Sequence, residues 1–111
     1  MTLQRLGEQY NIAVEKLKYF SENELIEIDK EYENEDVERL SKICTLYETG
    51  LSAEDIKKLL DFETENKYSE QLRLLGEHRF NSLDDIHAQQ SQLDKLDYLM
   101  YEIKKRIATK N

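Results

Sequence analysis

Residues 3–26 read LQRLGEQYNIAVEKLKYFSENELI, and the way their apolar positions break decides the fold. Leu3 and Leu6, then Ile12, Val14, Leu17 and Phe20, form two short runs at helical spacing, interrupted around Tyr10 and Asn11. That is a helix, a tight turn and a second helix. Asn11 suits the turn, because asparagine visits the left-handed backbone region at small cost. A loop between two arbitrary surface helices would show the same break, so the pattern supplies a geometry before it supplies a use.

Working outward, Ser21 to Glu35 is the most polar stretch, with Leu25, Ile26, Ile28 and Tyr32 as its possible anchors. A short extended hairpin or a loop is expected there. A third helix is expected from Asn34, a plausible N-cap, with Glu35 and Asp36 in its first turn. Val37, Leu40, Ile43, Cys44, Leu46 and Tyr47 supply its inner face, and Gly50 is a good stop. Ser52 and Asp55 then open a fourth helix carrying Ile56, Leu59 and Leu60, in a pattern close to a capping box. After the polar break Glu63 to Lys67, one long helix is expected to about Lys105. In it Ile86, Leu93, Met100 and Ile107 lie seven apart, with Leu96 and Ile103 three residues after two of them. This is the seam of a coiled coil, interrupted at Gln89 and Gln90, where polar residues can fix register or orientation. Gly76 costs roughly 1 kcal/mol relative to alanine inside a helix, so a bend or boundary near it is expected.

Composition agrees. The chain has 111 residues, no proline and three glycines, which leaves few residues that interrupt helices or make tight hairpins. It is lean in apolar residues (39%) and rich in charge (36%), which suits long helices with one apolar stripe and a partner to cover it. The formal charge of −8 opposes attraction to nucleic acid or to an anionic membrane, so DNA binding would need a local patch. No stretch approaches the ~18 apolar residues of a membrane span, the N-terminus carries no signal-peptide core, and no membrane partner is expected. The single cysteine, Cys44, allows no intramolecular disulfide and points to a reducing cytoplasm.

Together, the run at residues 3–26, the run YENEDVERLSKICTLYETGLSAEDIKKLL at 32–60 and the run LLGEHRFNSLDDIHAQQSQLDKLDYLMYEIKK at 74–105 resemble, in order, the MerR family of bacterial transcription regulators. The family's second helix ends in Arg-Tyr-Tyr and a Leu-Leu pair. Here that ending reads Lys18-Tyr19-Phe20, and Leu25-Ile26 follow at the expected distance. The resemblance implies a mainly α fold: a winged helix-turn-helix head over residues 1–62, with a reduced wing, and a dimerisation helix over residues 63–111. That helix would form an antiparallel coiled-coil homodimer through Ile86, Leu93, Leu96, Met100, Ile103 and Ile107. The recognition helix would run from Ala13 to Phe20, with Lys16 and Lys18 for base or phosphate contact. Tyr19 and Tyr32 would donate hydroxyls to phosphate. Promoter DNA is the implied partner, with RNA polymerase or another regulator as a further one, and no separate effector domain is implied.

The departures weaken phosphate contact. Glu15 stands where the family commonly begins its recognition sequence with arginine, and the wing is shortened and acidic. Residues 1–40 hold five basic and eleven acidic side chains, a net of −6. The alternative reading is a homologue impaired in DNA binding that acts on a protein, or on a basic relative, through its acidic head.

Other chemistries lack their residues. The metal-sensing cysteines of the wider family, near the start of the dimerisation helix, are missing; Cys44 reads as a small core residue, and His78 and His87 are nine apart rather than four. No metal, cofactor or catalytic residue is expected, and no phosphate-binding glycine loop or Ser-His-Asp pattern occurs. Tyr98, Leu99, Met100 and Tyr101 read as dimer core, or as the lining of an effector pocket between subunits.

Overall fold

The computed structural model describes residues 1–110. Five helices follow in order: α1 (Leu3–Gln9), α2 (Val14–Glu22), α3 (Asn34–Glu48), α4 (Ala53–Thr64) and α5 (Tyr68–Lys110). The chain divides into two compact units, Met1–Gln71 and a second beginning at Leu72.

In the first unit, each helix starts and stops for a local reason. Thr2 caps α1 by accepting from the Arg5 N–H at 3.3 Å. Asn11 takes φ 54°, the left-handed value its side chain tolerates, and so turns the chain between α1 and α2. Gly7 lets the two helices close, since a Cβ there would lie 2.9 Å from Leu17 Cδ1. The N-cap of α3 is Glu33, one residue earlier than expected, and Asp36 reaches back to its N–H at 3.0 Å. Gly50, at φ 84°, ends α3, and the Ser52 hydroxyl accepts from the Asp55 N–H at 3.1 Å to begin α4. These caps hold amphipathic helices whose inner faces meet in one core. Leu6, Phe20, Ile43 and Ile56 are its fully buried centre, and Leu3, Leu17, Leu25, Leu40, Leu51, Leu59 and Leu60 surround them.

No strand occurs among the described residues, so of the hairpin or loop expected between α2 and α3 the loop is found, running in turns and bends. Glu24, Glu27, Asp29, Glu31 and Glu33 against the single Lys30 are poor strand formers and would repel one another across a ladder. The loop is closed instead by other bonds. Leu25 N–H donates to Phe20 O at 2.9 Å and Tyr32 N–H to Met1 O at 2.7 Å, while the Leu25 side chain is buried beneath.

The second unit is helix alone. α5 continues five residues beyond the expected end at Lys105, and it is helical through Gly76, where a Cβ would meet nothing within 4 Å. None of its residues is buried.

Candidate nucleic-acid interface

The outer face of α2 is where a helix-turn-helix would meet DNA. Ala13 is the N-cap and makes no side-chain capping bond, which leaves first-turn N–H groups of α2 to solvent or to a ligand. Glu15, exposed in that first turn, is placed where the positive end of a helix favours a carboxylate.

Lys16 and Lys18 are two residues apart, about 200° around the helix. The structure sends them to different surfaces. The Lys16 ammonium lies 5.5 Å from the centre of the Tyr47 ring, and its side chain is half-buried against α3. Tyr47 is itself held edge-on by Phe20, with ring centres 5.4 Å apart, so Lys16 rests on a fixed aromatic surface. Lys18 points the other way, 74% exposed, with only a loose 4.0 Å approach to Glu22. Such an exposed pair holds the ammonium weakly and leaves it free to reach a phosphate.

Tyr19 is half-buried, its ring 5.4 Å from that of Tyr47, and its hydroxyl has no hydrogen-bond partner among the described residues. Tyr32 differs. It is 7% exposed and its hydroxyl donates to the Glu27 carbonyl, so the one proton it could offer a phosphate oxygen already closes the loop. Burial and the nearby Asp36 carboxylate raise its pKa, which keeps that proton in place. In this structure the Tyr32 hydroxyl therefore serves to close the loop.

An open groove of roughly 960 Å³ runs between α1, α2 and the loop, bordered by Lys18 and Lys30 and by Glu8, Asp29 and Glu31. Val14 and Ile28 stand on its edge, 75% and 59% exposed. Sequence reasoning assigned Lys30 no role and set Val14 in the apolar run and Ile28 among the anchors, whereas both apolar side chains face solvent. The signal available was helical spacing, which sets Val14 and Lys18 four apart on one face. Lys30 is partly committed already, because the Asp36 carboxylate lies 2.7 Å from its ammonium; that contact raises the lysine's pKa, while the Glu33 N–H and then Lys30 lower that of Asp36.

On α5 the six expected seam residues, Ile86, Leu93, Leu96, Met100, Ile103 and Ile107, are between 51% and 58% exposed. Tyr98, Leu99 and Tyr101 are similarly open to solvent.

A family model, described as MerR HTH family regulatory protein, matches residues 1–63. The chain belongs to the MerR family. The match spans α1 to α4, the part of the molecule that carries the turn at Asn11 and the outer face of α2. A MerR-type helix-turn-helix points to a DNA-binding transcription regulator rather than to an enzyme. Among curated proteins and among solved structures, nothing matches the chain. Among the described residues no cluster of His, Cys, Asp or Glu is arranged to hold a metal, and no helix is long and apolar enough to cross a membrane. Cys44 is half-buried, and loss of hydration raises its thiol pKa, which lowers its reactivity.

Proposed function

We propose that this MerR-family chain is a homodimeric transcription regulator, joined by antiparallel pairing of α5, and that α2 of each head enters DNA at a palindromic promoter. RNA polymerase or a second regulator is the further partner such a role requires. The reading rests on Lys18, an exposed ammonium on the outer face of α2 with no strong ion pair to hold it back. Tyr19, with its unengaged hydroxyl, and the uncapped N–H groups after Ala13 are the next donors a phosphate would meet. Lys16 contributes its charge from the side, and Glu15 reduces the affinity of the whole face.

Lys18→Glu tests the reading. Binding to a palindromic fragment upstream of its own gene is expected at low salt and should collapse as salt rises, and the substitution should weaken it about equally on all sequences. A second reading has one observation in its favour: Val14 and Ile28 expose apolar surface beside Glu8, Asp29 and Glu31, a lining better matched to a protein than to phosphate. If no genomic fragment is enriched at low salt while a protein partner co-purifies, that reading replaces the first.

A further inference from the structure

Pairing of α5 with a second copy leaves open which residues face each other, and the sequence along this helix discriminates among the choices. Ile86, Leu93, Met100 and Ile107 hold the first position of the seven-residue repeat, and Ser82, Gln89, Leu96 and Ile103 the fourth. In an antiparallel pair a first-position side chain meets a fourth-position side chain of the other helix. On the reading that α5 forms such a homodimer, we infer that its register sets Leu93 against the partner's Leu96 and Ile86 against the partner's Ile103, with Asp85 beside the partner's Arg106.

Three features of the helix favour this register. The two-fold axis then falls between Leu93 and Leu96, so the Leu93–Leu96 layer, repeated by symmetry, lies at the centre, with the Met100–Gln89 layers next and the Ile86–Ile103 layers beyond them. Met100 faces the partner's Gln89, where a flexible thioether lies along the amide's aliphatic stem and the amide itself can turn to solvent. The flanking positions also become complementary. Asp85 and Arg106 have no ion-pair partner within the described chain, and this register brings each beside its opposite charge, twice per dimer. Leu83 is covered by the stem of the partner's Lys104. The one like-charge pair, Arg79 with the partner's Lys110, falls at the solvated end of the overlap, where both long side chains reach water.

Each alternative brings a charge into an unfavourable place. Sliding one heptad one way sets Arg79 against the partner's Ile103 and Gln89 against the partner's Leu93, which buries a guanidinium and splits the central leucine layers. Sliding one heptad the other way brings Asp97 against the partner's Asp97 beside the axis, a like-charge contact repaired by nothing nearby. Parallel pairing in register stacks Arg79 on the partner's Arg79 and leaves Asp85 facing a glutamine.

Disulfide trapping decides the register. In a Cys44→Ala background, full-length Ile86→Cys and Ile103→Cys chains are coexpressed and oxidised, beside a second pairing of Ile86→Cys with Leu96→Cys. The expected result is a covalent dimer from the first pairing and none from the second, nor from Ile86→Cys alone. A covalent dimer from the second pairing, or from Ile86→Cys alone, overturns the register and leaves the dimer standing. A wild-type chain that is monomeric by light scattering at micromolar concentration overturns the dimer reading itself. Charge reversal gives an independent check: Asp85→Arg and Arg106→Asp should each weaken dimerisation about three- to tenfold, and the two together should recover most of the loss. Additive losses in the double variant overturn the proposed pair.

Discussion

Glu15 and Lys18 sit on the same short helix and carry opposite charges, so on the proposed reading they act oppositely on a nearby phosphate. Glu15 is exposed in the first turn of α2, where the helix end stabilises it, and if α2 docks on DNA as proposed it faces the duplex. It can accept a hydrogen bond only from a base amino group such as that of cytosine, and it repels phosphate. Glu15→Arg is therefore expected to raise affinity for nonspecific DNA and to steepen its salt dependence, as one unfavourable charge becomes one that releases counterions. Titration of both proteins onto a short labelled duplex at two salt concentrations measures this. Indistinguishable curves would show that α2 does not meet DNA in the manner of its family. The placements of Lys18 and Glu15 on the outside of α2 were legible in the sequence, since both depend on position in a helix. Those of Lys16 and Tyr32 were not. A ring from α3 captures the first and a carbonyl of the loop captures the second, and neither contact leaves a mark on local spacing.

At the scale of elements, the helix-turn-helix depends on how closely α1 and α2 approach. Gly7→Ala would set a methyl 2.9 Å from Leu17 Cδ1, closer than van der Waals contact permits, so Leu17 must turn or the helices must part. The strain outweighs the gain in helix propensity, and a loss of about 1–2 kcal/mol is expected by urea unfolding. An unchanged midpoint would mean that Leu17 repacks without cost. The loop before α3 should respond to pH through Asp36. Its carboxylate accepts from the Glu33 N–H and pairs with Lys30, which lowers its pKa in the folded state. The stabilisation is thus fully present above the unfolded value of about 3.9 and is lost as pH falls through the lower folded value. Lys30, whose pKa is raised, gives the opposite limb, losing its contribution as pH rises through the folded lysine value. Asp36→Asn should narrow the gap to wild type below about pH 4, measured as thermal midpoint against pH. A constant gap down to pH 2 would assign the effect to shape rather than charge. Helix order and the stops at Asn11 and Gly50 could be read from the sequence because they obey local backbone rules. The choice between hairpin and loop before α3 could not, because Leu25 and Tyr32 anchor that stretch through the core and through Met1 rather than through a ladder.

For the whole molecule the balance of burial is uneven. The first unit owns the core, whereas α5 runs 43 residues without burying one. If a second copy supplies the cover, Leu93→Asp with Met100→Asp should give monomers or unfolded chains, because two charges per helix would be buried unpaired. Sedimentation of the double variant checks this, and a dimer of wild-type mass would place the contact elsewhere. An arm that buries nothing of its own also makes gene dosage a physical variable. If α5 pairs as proposed, its stability is bimolecular, so each tenfold fall in copy number removes about 1.4 kcal/mol from it, and chains made singly are the ones a cellular protease finds first.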